Sequence, residues 1–206
     1  MPAIMGLLGL ITMTSTDYKN QVKKSFTYIK AIQTQNISLF SASPVRIREQ
    51  KEIEYFEVGA SNITDSGIII INKNDKIRTM ANETSFQRQH LRVGDIIMPF
   101  RTTPKFGLIV DTPPIPLVPN TSIIVIRTNC ATDSAYLCAF LNQKFVCEYL
   151  EYQFSTSPIT PSEILNSLVV PDMQHYQVHN ALTIMREIYT CYENIQTLSK
   201  LTLPLE

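Results

Sequence analysis

The sequence predicts an α+β fold: a mixed or antiparallel sheet with short helices over residues 1–171, then one long helix over residues 172–206. Three observations predict it. Short runs of β-branched and aromatic residues, "IEYFEVG", "GDIIMPF", "FGLIV" and "NTSIIVIRT", stand between turn residues. From Ser134 the apolar residues recur instead at helical intervals. Last, Val178, Ala181, Met185, Ile188, Tyr192, Ile195 and Leu198 follow one another at steps of three and four, with no Pro or Gly until Pro204. With 44% hydrophobic residues in 206, the chain can bury one sizeable core.

Taken in order, residues 1–16 open with "MPAIMGLLGLITM", apolar but without the positive flank of an export signal and too short for a membrane span. A buried strand, an irregular lead or a start at Met13 would each account for it. Tyr18, Val22, Phe26 and Ile29 then recur among lysines, as in a helix or an irregular basic segment over Asp17 to Ile32. "IEYFEVG" and "SGIIIINK" read as strands, with Asn62, Asp65 and Gly67 as turn signals. Glu83 to Arg92 is polar and reads as a loop. Three more strands follow, separated by Pro-rich loops such as "DTPPIPLVP". A single helix is expected over Ser134 to Tyr152, capped by Asp133 or Ser134. Thr160 to Glu163 is a T-x-x-E capping box that opens one helical turn before a short strand, Leu168 to Val170. The final stripe predicts a helix from Gln174 to Leu201, about 40 Å long. Leu182, Ile184 and Tyr189 widen its apolar face, so it wants a partner helix from this chain or from a second copy, unless it lies on its own sheet.

Charge speaks against wrapping a polyanion by sheer cationic excess, since 18 basic residues balance 18 acidic ones. The distribution is less even. Between Lys73 and Lys105 seven basic residues face three acidic ones, whereas Asp133 to Asp172 holds Lys144 alone against five acidic residues. The four cysteines form no C-x-x-C pair, and three sit in apolar segments, which suits a reducing, cytoplasmic setting.

Catalytic motifs are missing from the sequence. "DTPPIP" departs from the Asn/Asp-Pro-Pro-aromatic motif of DNA amino-methyltransferases at Thr112 and Ile115, and no G-x-G turn accompanies it. Glu49-Gln50-Lys51 lacks the upstream carboxylate that a metal-dependent nuclease needs. His175 and His179, one helical turn apart, lack a third ligand and an intervening base. No Walker loop or nucleophile elbow occurs. The expectation is a non-catalytic chain with no cofactor and no metal.

The most informative stretch is "LRVGDIIMPFRTTPKFGLIV", Leu91 to Val110. Gly94-Asp95 predicts a tight turn into one strand, and Gly107 starts the return strand after an exposed loop. Arg101 and Lys105 can reach phosphate or guanine edges. Thr102 and Thr103 offer hydroxyls and a methyl to base edges. A hairpin with no ligand is the plainer alternative.

The order of segments from Phe56 to Gln177 resembles the target recognition domain of the type I restriction-modification specificity subunit. Gly94, Asp95, Ile96, Tyr136, Leu137, Leu141, Pro171 and Gln177 fall on that family's Leu-x-x-Gly-Asp-Ile strand, Tyr-Leu helix, and Val-Pro…Gln junction into a spacer helix. "STSP" at Ser155 to Pro158 departs from the family, which commonly has a glycine there. The resemblance implies a half-subunit: one recognition domain at residues 1–171 and one spacer or dimerisation helix at 172–206. It also implies double-stranded DNA as ligand, a methyltransferase subunit and a restriction subunit as partners, and a homodimer that reads two half-sites. Arg101, Thr102, Thr103 and Lys105 are the first-choice DNA contacts. Arg78, Arg88 and His90 come second, and Ser155, Thr156 and Ser157 third, if these loops converge on one groove. The rival reading is an adaptor that docks a partner enzyme through its helix without touching DNA.

Overall fold

The computed structural model describes residues 15–25, 29–31, 38–41, 53–71, 77–80, 83–100, 103–111, 113–156, 160–166, 168–171 and 181–198. Their architecture is α+β, as expected. A central four-stranded antiparallel sheet has the order β2 (Ser38–Ser41), β8 (Ile123–Arg127), β5 (Ile96–Pro99), β6 (Gly107–Leu108). A three-stranded sheet runs β4 (Ile77–Met80), β3 (Ile53–Val58), β7 (Leu117–Pro119), with β3 and β7 parallel. A third pairing joins β1 (Ile29–Ala31) to β9 (Val169–Pro171).

Why β5 and β8 lack polar alternation follows from where they lie. Successive strand residues point to opposite faces. Ile96, Met98, Ile124 and Ile126 enter the core beneath the helices, while Ile97, Ile123 and Val125 enter a second core with Val58, Ile109 and Leu117 from the three-stranded side. Both faces are covered, so Ile96–Pro99 and Ile123–Ile126 are apolar throughout, and the first charged residue is Arg127 at the end of β8. Gly94 and Gly107 set the hairpin's entry and return. Gly94 has φ +90°, a left-handed conformation, and a Cβ there would lie 3.1 Å from the Ala131 Cα. At Gly107 a Cβ would collide with the Ile69 side chain.

Helix α1 (Ser15–Ser25) sinks Tyr18 and Val22 into the main core. The Tyr18 ring stacks on Tyr149 at 4.3 Å between centroids, and its hydroxyl donates to the Val169 carbonyl at 2.5 Å. Four expectations need correcting. Glu83 to Gln89 is helix α2, not a loop, anchored by the single buried apolar side chain of Phe86. "DTPPIPLVP" contains β7. The helix expected from Ser134 is two helices, α3 (Ala131–Leu141) and α4 (Lys144–Thr156), because Asn142 turns its amide away to bond Phe106. The N-cap of α3 is Cys130, which places Asp133 and Ser134 inside the first turn. The Thr160–Glu163 capping box is present, with Thr160 N–H donating to Glu163 Oε2 at 2.9 Å, and opens α5 (Pro161–Asn166).

The terminal helix α6 spans Ala181–Leu198, about 27 Å at 1.5 Å per residue. The rest of the expected Gln174 to Leu201 span, including Val178, lies outside the described residues. α6 packs along α3, burying Met185 and partly burying Ile188 and Tyr189 against the main core, while Ile184 remains 52% exposed. Its N-terminal stripe therefore finds its partner within this chain. Ala181, Tyr192, Ile195 and Leu198 belong to the same helix. No helix among the described residues is long and apolar enough to cross a membrane.

Cysteine reactivity follows from this packing. Burial pushes the Cys138 thiol up to about 12; burial with Glu151 and Glu148 nearby pushes Cys147 up to about 11, whereas Cys130 and Cys191 are exposed. A water-soluble thiol reagent is expected to label Cys130 and Cys191 in the folded chain and Cys138 only after denaturation. Labelling followed by peptide mass mapping checks this; native labelling of Cys138 would contradict the packing.

Candidate nucleic-acid interface

The return limb of the β5–β6 hairpin has a fixed root. Phe106 N–H donates to Asn142 Oδ1 at 3.0 Å, and Asn142 Nδ2 donates to the Phe106 carbonyl at 2.8 Å and to the Cys138 carbonyl at 3.1 Å. Leu108 N–H donates to the Gly67 carbonyl at 2.9 Å, and Ile69 N–H to the Leu108 carbonyl at 3.0 Å. The return limb is thus tied to α3 and to the turn at Thr64 to Gly67. On the loop, Thr103 is exposed and Pro104 buried. Lys105 Nζ lies 2.7 Å from Asp65 Oδ1. Arg101 and Thr102 lie outside the described residues.

The base of the hairpin has a different job. Asp95, 1% exposed, accepts Arg127 Nε on Oδ1 at 2.7 Å and Arg127 Nη2 on Oδ2 at 2.6 Å, and Oδ2 also accepts Arg92 N–H at 2.8 Å. The Arg127 guanidinium also reaches the His90 carbonyl at 3.1 Å and lies over the Phe40 ring at 4.9 Å. Asp95 is therefore structural: it closes the Arg92–Asp95 turn and fixes Arg127.

The other expected contacts are distributed rather than gathered. His90 stacks on Phe86, its Nδ1 lies 3.1 Å from the Gln87 carbonyl, and its Nε2 accepts from Arg92 Nε at 3.3 Å. These bonds put His90, and Arg88 in the last turn of α2, at the Asp95 end of β5. The loop leaves from the Pro99 end, about 13 Å away over four residues at 3.3 Å each. Arg78, on edge strand β4, pairs with Glu57 at 2.8 Å. Ser155 and Thr156 end α4, and both hydroxyls donate to the Tyr152 carbonyl, at 2.9 and 2.8 Å. Ser157 lies outside the described residues, as do His175 and His179. Arg88 with His90, Arg78, and Ser155 with Thr156 are thus carried by three separate elements, α2 and its end, β4 and α4.

Three functional neighbours escaped the sequence reading: Asp65, Asn142 and Arg127. Asn142 had a signal in "FLNQK", a helix-disfavouring residue between two apolar helical stretches. A cleft of about 290 Å³ lies between α6 and the sheet edge, lined among others by Phe56, Ile109, Leu117, Tyr189 and Glu193. Burial, the Glu193 hydrogen bond and nearby Asp111 push the Tyr189 hydroxyl up to about 12.

Fold and site together describe an α+β domain that holds a hydroxyl- and lysine-bearing hairpin loop on an anchored root. No sequence family and no curated protein matches the chain. Among solved structures, the HsdS subunit from Thermoanaerobacter tengcongensis is similar with a TM-score of 0.45 at 13% identity, over 84% of this chain and 40% of that chain. A structure concerned with complex assembly and conformational transition of the type I R-M system gives a TM-score of 0.42 at 11% identity, over 81% of this chain and 40% of that chain. The chain spans about 40% of the length of these solved chains.

Proposed function

We propose that this chain is a non-catalytic DNA-specificity component of a type I-like restriction-modification system. The observation that carries the reading is the rooted β5–β6 hairpin, which holds exposed Thr103 and the anchored Lys105 next in sequence to Arg101 and Thr102. A loop fixed at its root loses little conformational freedom on binding, which favours sequence readout over loose phosphate attraction. Arg78, Arg88 and His90, together with Ser155, Thr156 and Ser157, remain secondary contacts in this reading. In it the chain works in the cytoplasm without cofactor or metal, and methyltransferase and restriction subunits supply the chemistry. Two copies pair through the part of α6 beyond Ile188 to read two half-sites.

The reading is tested by titrating short duplexes against the chain, alone and with a methyltransferase subunit, over a range of salt. Lys105→Ala is expected to weaken binding to all sequences alike and to reduce the salt slope by about one. Arg101→Ala is expected to relax the preferred sequence, costing about 1–3 kcal/mol at one base position. If both variants bind and select as the parent does, the loop is not the reading element. The charge balance favours the second reading, an adaptor that docks a partner enzyme through its helix. Partner binding without salt-dependent duplex binding would establish that reading.

A further inference from the structure

Lys105, the loop cation described above, is already engaged. Its ammonium lies 2.7 Å from Asp65, whose side chain is fully exposed at 100%. An isolated surface pair of this kind contributes little, because two flexible side chains must be held together. Here both partners sit on anchored backbone. Asp65 rides a tight turn in which Gly67 N–H donates to the Thr64 carbonyl at 3.1 Å, Thr64 N–H to the Ile68 carbonyl at 2.9 Å, and Ile68 N–H to Thr64 Oγ1 at 3.2 Å. Lys105 immediately precedes Phe106, whose N–H and carbonyl are both bonded to Asn142. The Gly67 carbonyl joins the two pieces by accepting Leu108 N–H. The turn and the loop root therefore meet at a fixed separation, and the carboxylate is positioned rather than wandering. The Lys105 ammonium holds the Asp65 carboxyl below the usual carboxylate range, so the carboxylate is charged at neutral pH.

From this arrangement, and resting on the DNA-reading role above, we infer that Asp65 is a specificity-determining residue: it offsets the Lys105 charge at the loop and so suppresses sequence-independent attachment to phosphate. Non-specific affinity for a duplex is almost wholly electrostatic, whereas base-edge contacts depend on geometry. A carboxylate beside the loop lysine lowers the first and leaves the second. It thereby widens the ratio between preferred and arbitrary sequences. Local neutralisation also gives physical meaning to a chain whose basic and acidic residues balance.

The test compares the parent, Asp65→Asn, Lys105→Ala and the double variant, each with the full chain. One readout is affinity for a short mixed-sequence duplex across a salt series. The other is enrichment from a pool of randomised duplexes. Asp65 is fully exposed and the Lys105 side chain 35% exposed, and matching thermal midpoints will show that the fold is kept. Asp65→Asn is expected to bind the mixed-sequence duplex roughly threefold to tenfold more tightly, with a salt slope steeper by about one, and to enrich its preferred sequence less. In the Lys105→Ala background the same change is expected to give a clearly smaller gain, because the carboxylate then has no adjacent cation to offset. If Asp65→Asn binds like the parent while Lys105→Ala binds more weakly, the role given to Asp65 is overturned and the loop reading stands. A gain of the same size without Lys105 also overturns it, since the pair would then be irrelevant. If neither residue alters duplex binding, the loop reading itself fails and takes this inference with it.

Discussion

Replacing Asp95 with alanine is expected to lower the stability of the whole domain by about 3 kcal/mol, the low end of what breaking a buried ion pair costs, since Arg127 is partly exposed. Three bonds would be lost together: two from the Arg127 side chain and one from the Arg92 N–H. Arg127 would remain over the Phe40 ring with the His90 carbonyl as its remaining acceptor. At about 2–4 °C per kcal/mol for a chain of this size, the thermal midpoint should fall by about 6–12 °C. Asp95→Asn keeps an acceptor for the Arg92 N–H and should recover part of the loss. A midpoint that moves by less than about 2 °C in Asp95→Ala would show that the Arg127 network is not a keystone of the hairpin base.

Tyr18→Ala should be at least as damaging, at about 3–4 kcal/mol, because it empties a side chain that is 1% exposed and removes the donor to the Val169 carbonyl. Burial, with Tyr149 adding to it, raises the Tyr18 hydroxyl above the usual phenol range, so its proton remains available to that carbonyl. Tyr18→Phe separates the two contributions. It keeps the ring stacked on Tyr149 and removes only the hydroxyl, for an expected loss of about 1 kcal/mol. Denaturant titrations of the three proteins check the ordering. Equal losses in both variants would mean that the hydrogen bond, not the ring, holds α1 in place.

The elements most legible in the sequence were those whose burial imposed a pattern. β5 and β8 announced themselves as unbroken apolar runs because both of their faces are covered, and α6 as a stripe because one of its faces is. β7 was hidden in "DTPPIPLVP" because it is an edge strand, where a missing N–H at Pro119 is tolerated. β4 is also an edge, with Ile77 49% exposed, and carries no alternation to detect. α2 buries Phe86 and the polar Gln89, too little for a helical stripe to show.

The site was legible in outline and not in detail, for a related reason. Gly94, Asp95 and Gly107 stood out because turns restrict residue type, and the hairpin they bound is present. The partners that tune it come from far along the chain. Asp65 meets Lys105 across 40 residues, and Asn142 meets Phe106 across 36. No local pattern encodes such pairings. The expected meeting of Arg88, His90, Ser155 and Thr156 with the loop assumed that nearby polar residues share an edge. Arg88 and His90 lie at the end of β5 opposite the loop, and Ser155 and Thr156 end α4.

The pairing of β1 with β9 sets Ile29 opposite Pro171 and Ala31 opposite Val169, so the start and finish of the domain are neighbours in one ribbon. As the polypeptide leaves the ribosome, α1 has no seat for its tyrosine hydroxyl until the final strand has emerged. A nascent chain halted short of Val169 would lack both the acceptor for that hydroxyl and the strand that pairs with β1. Emergence of β9, rather than of the β5–β6 loop, is thus the event that closes the ribbon and seats α1.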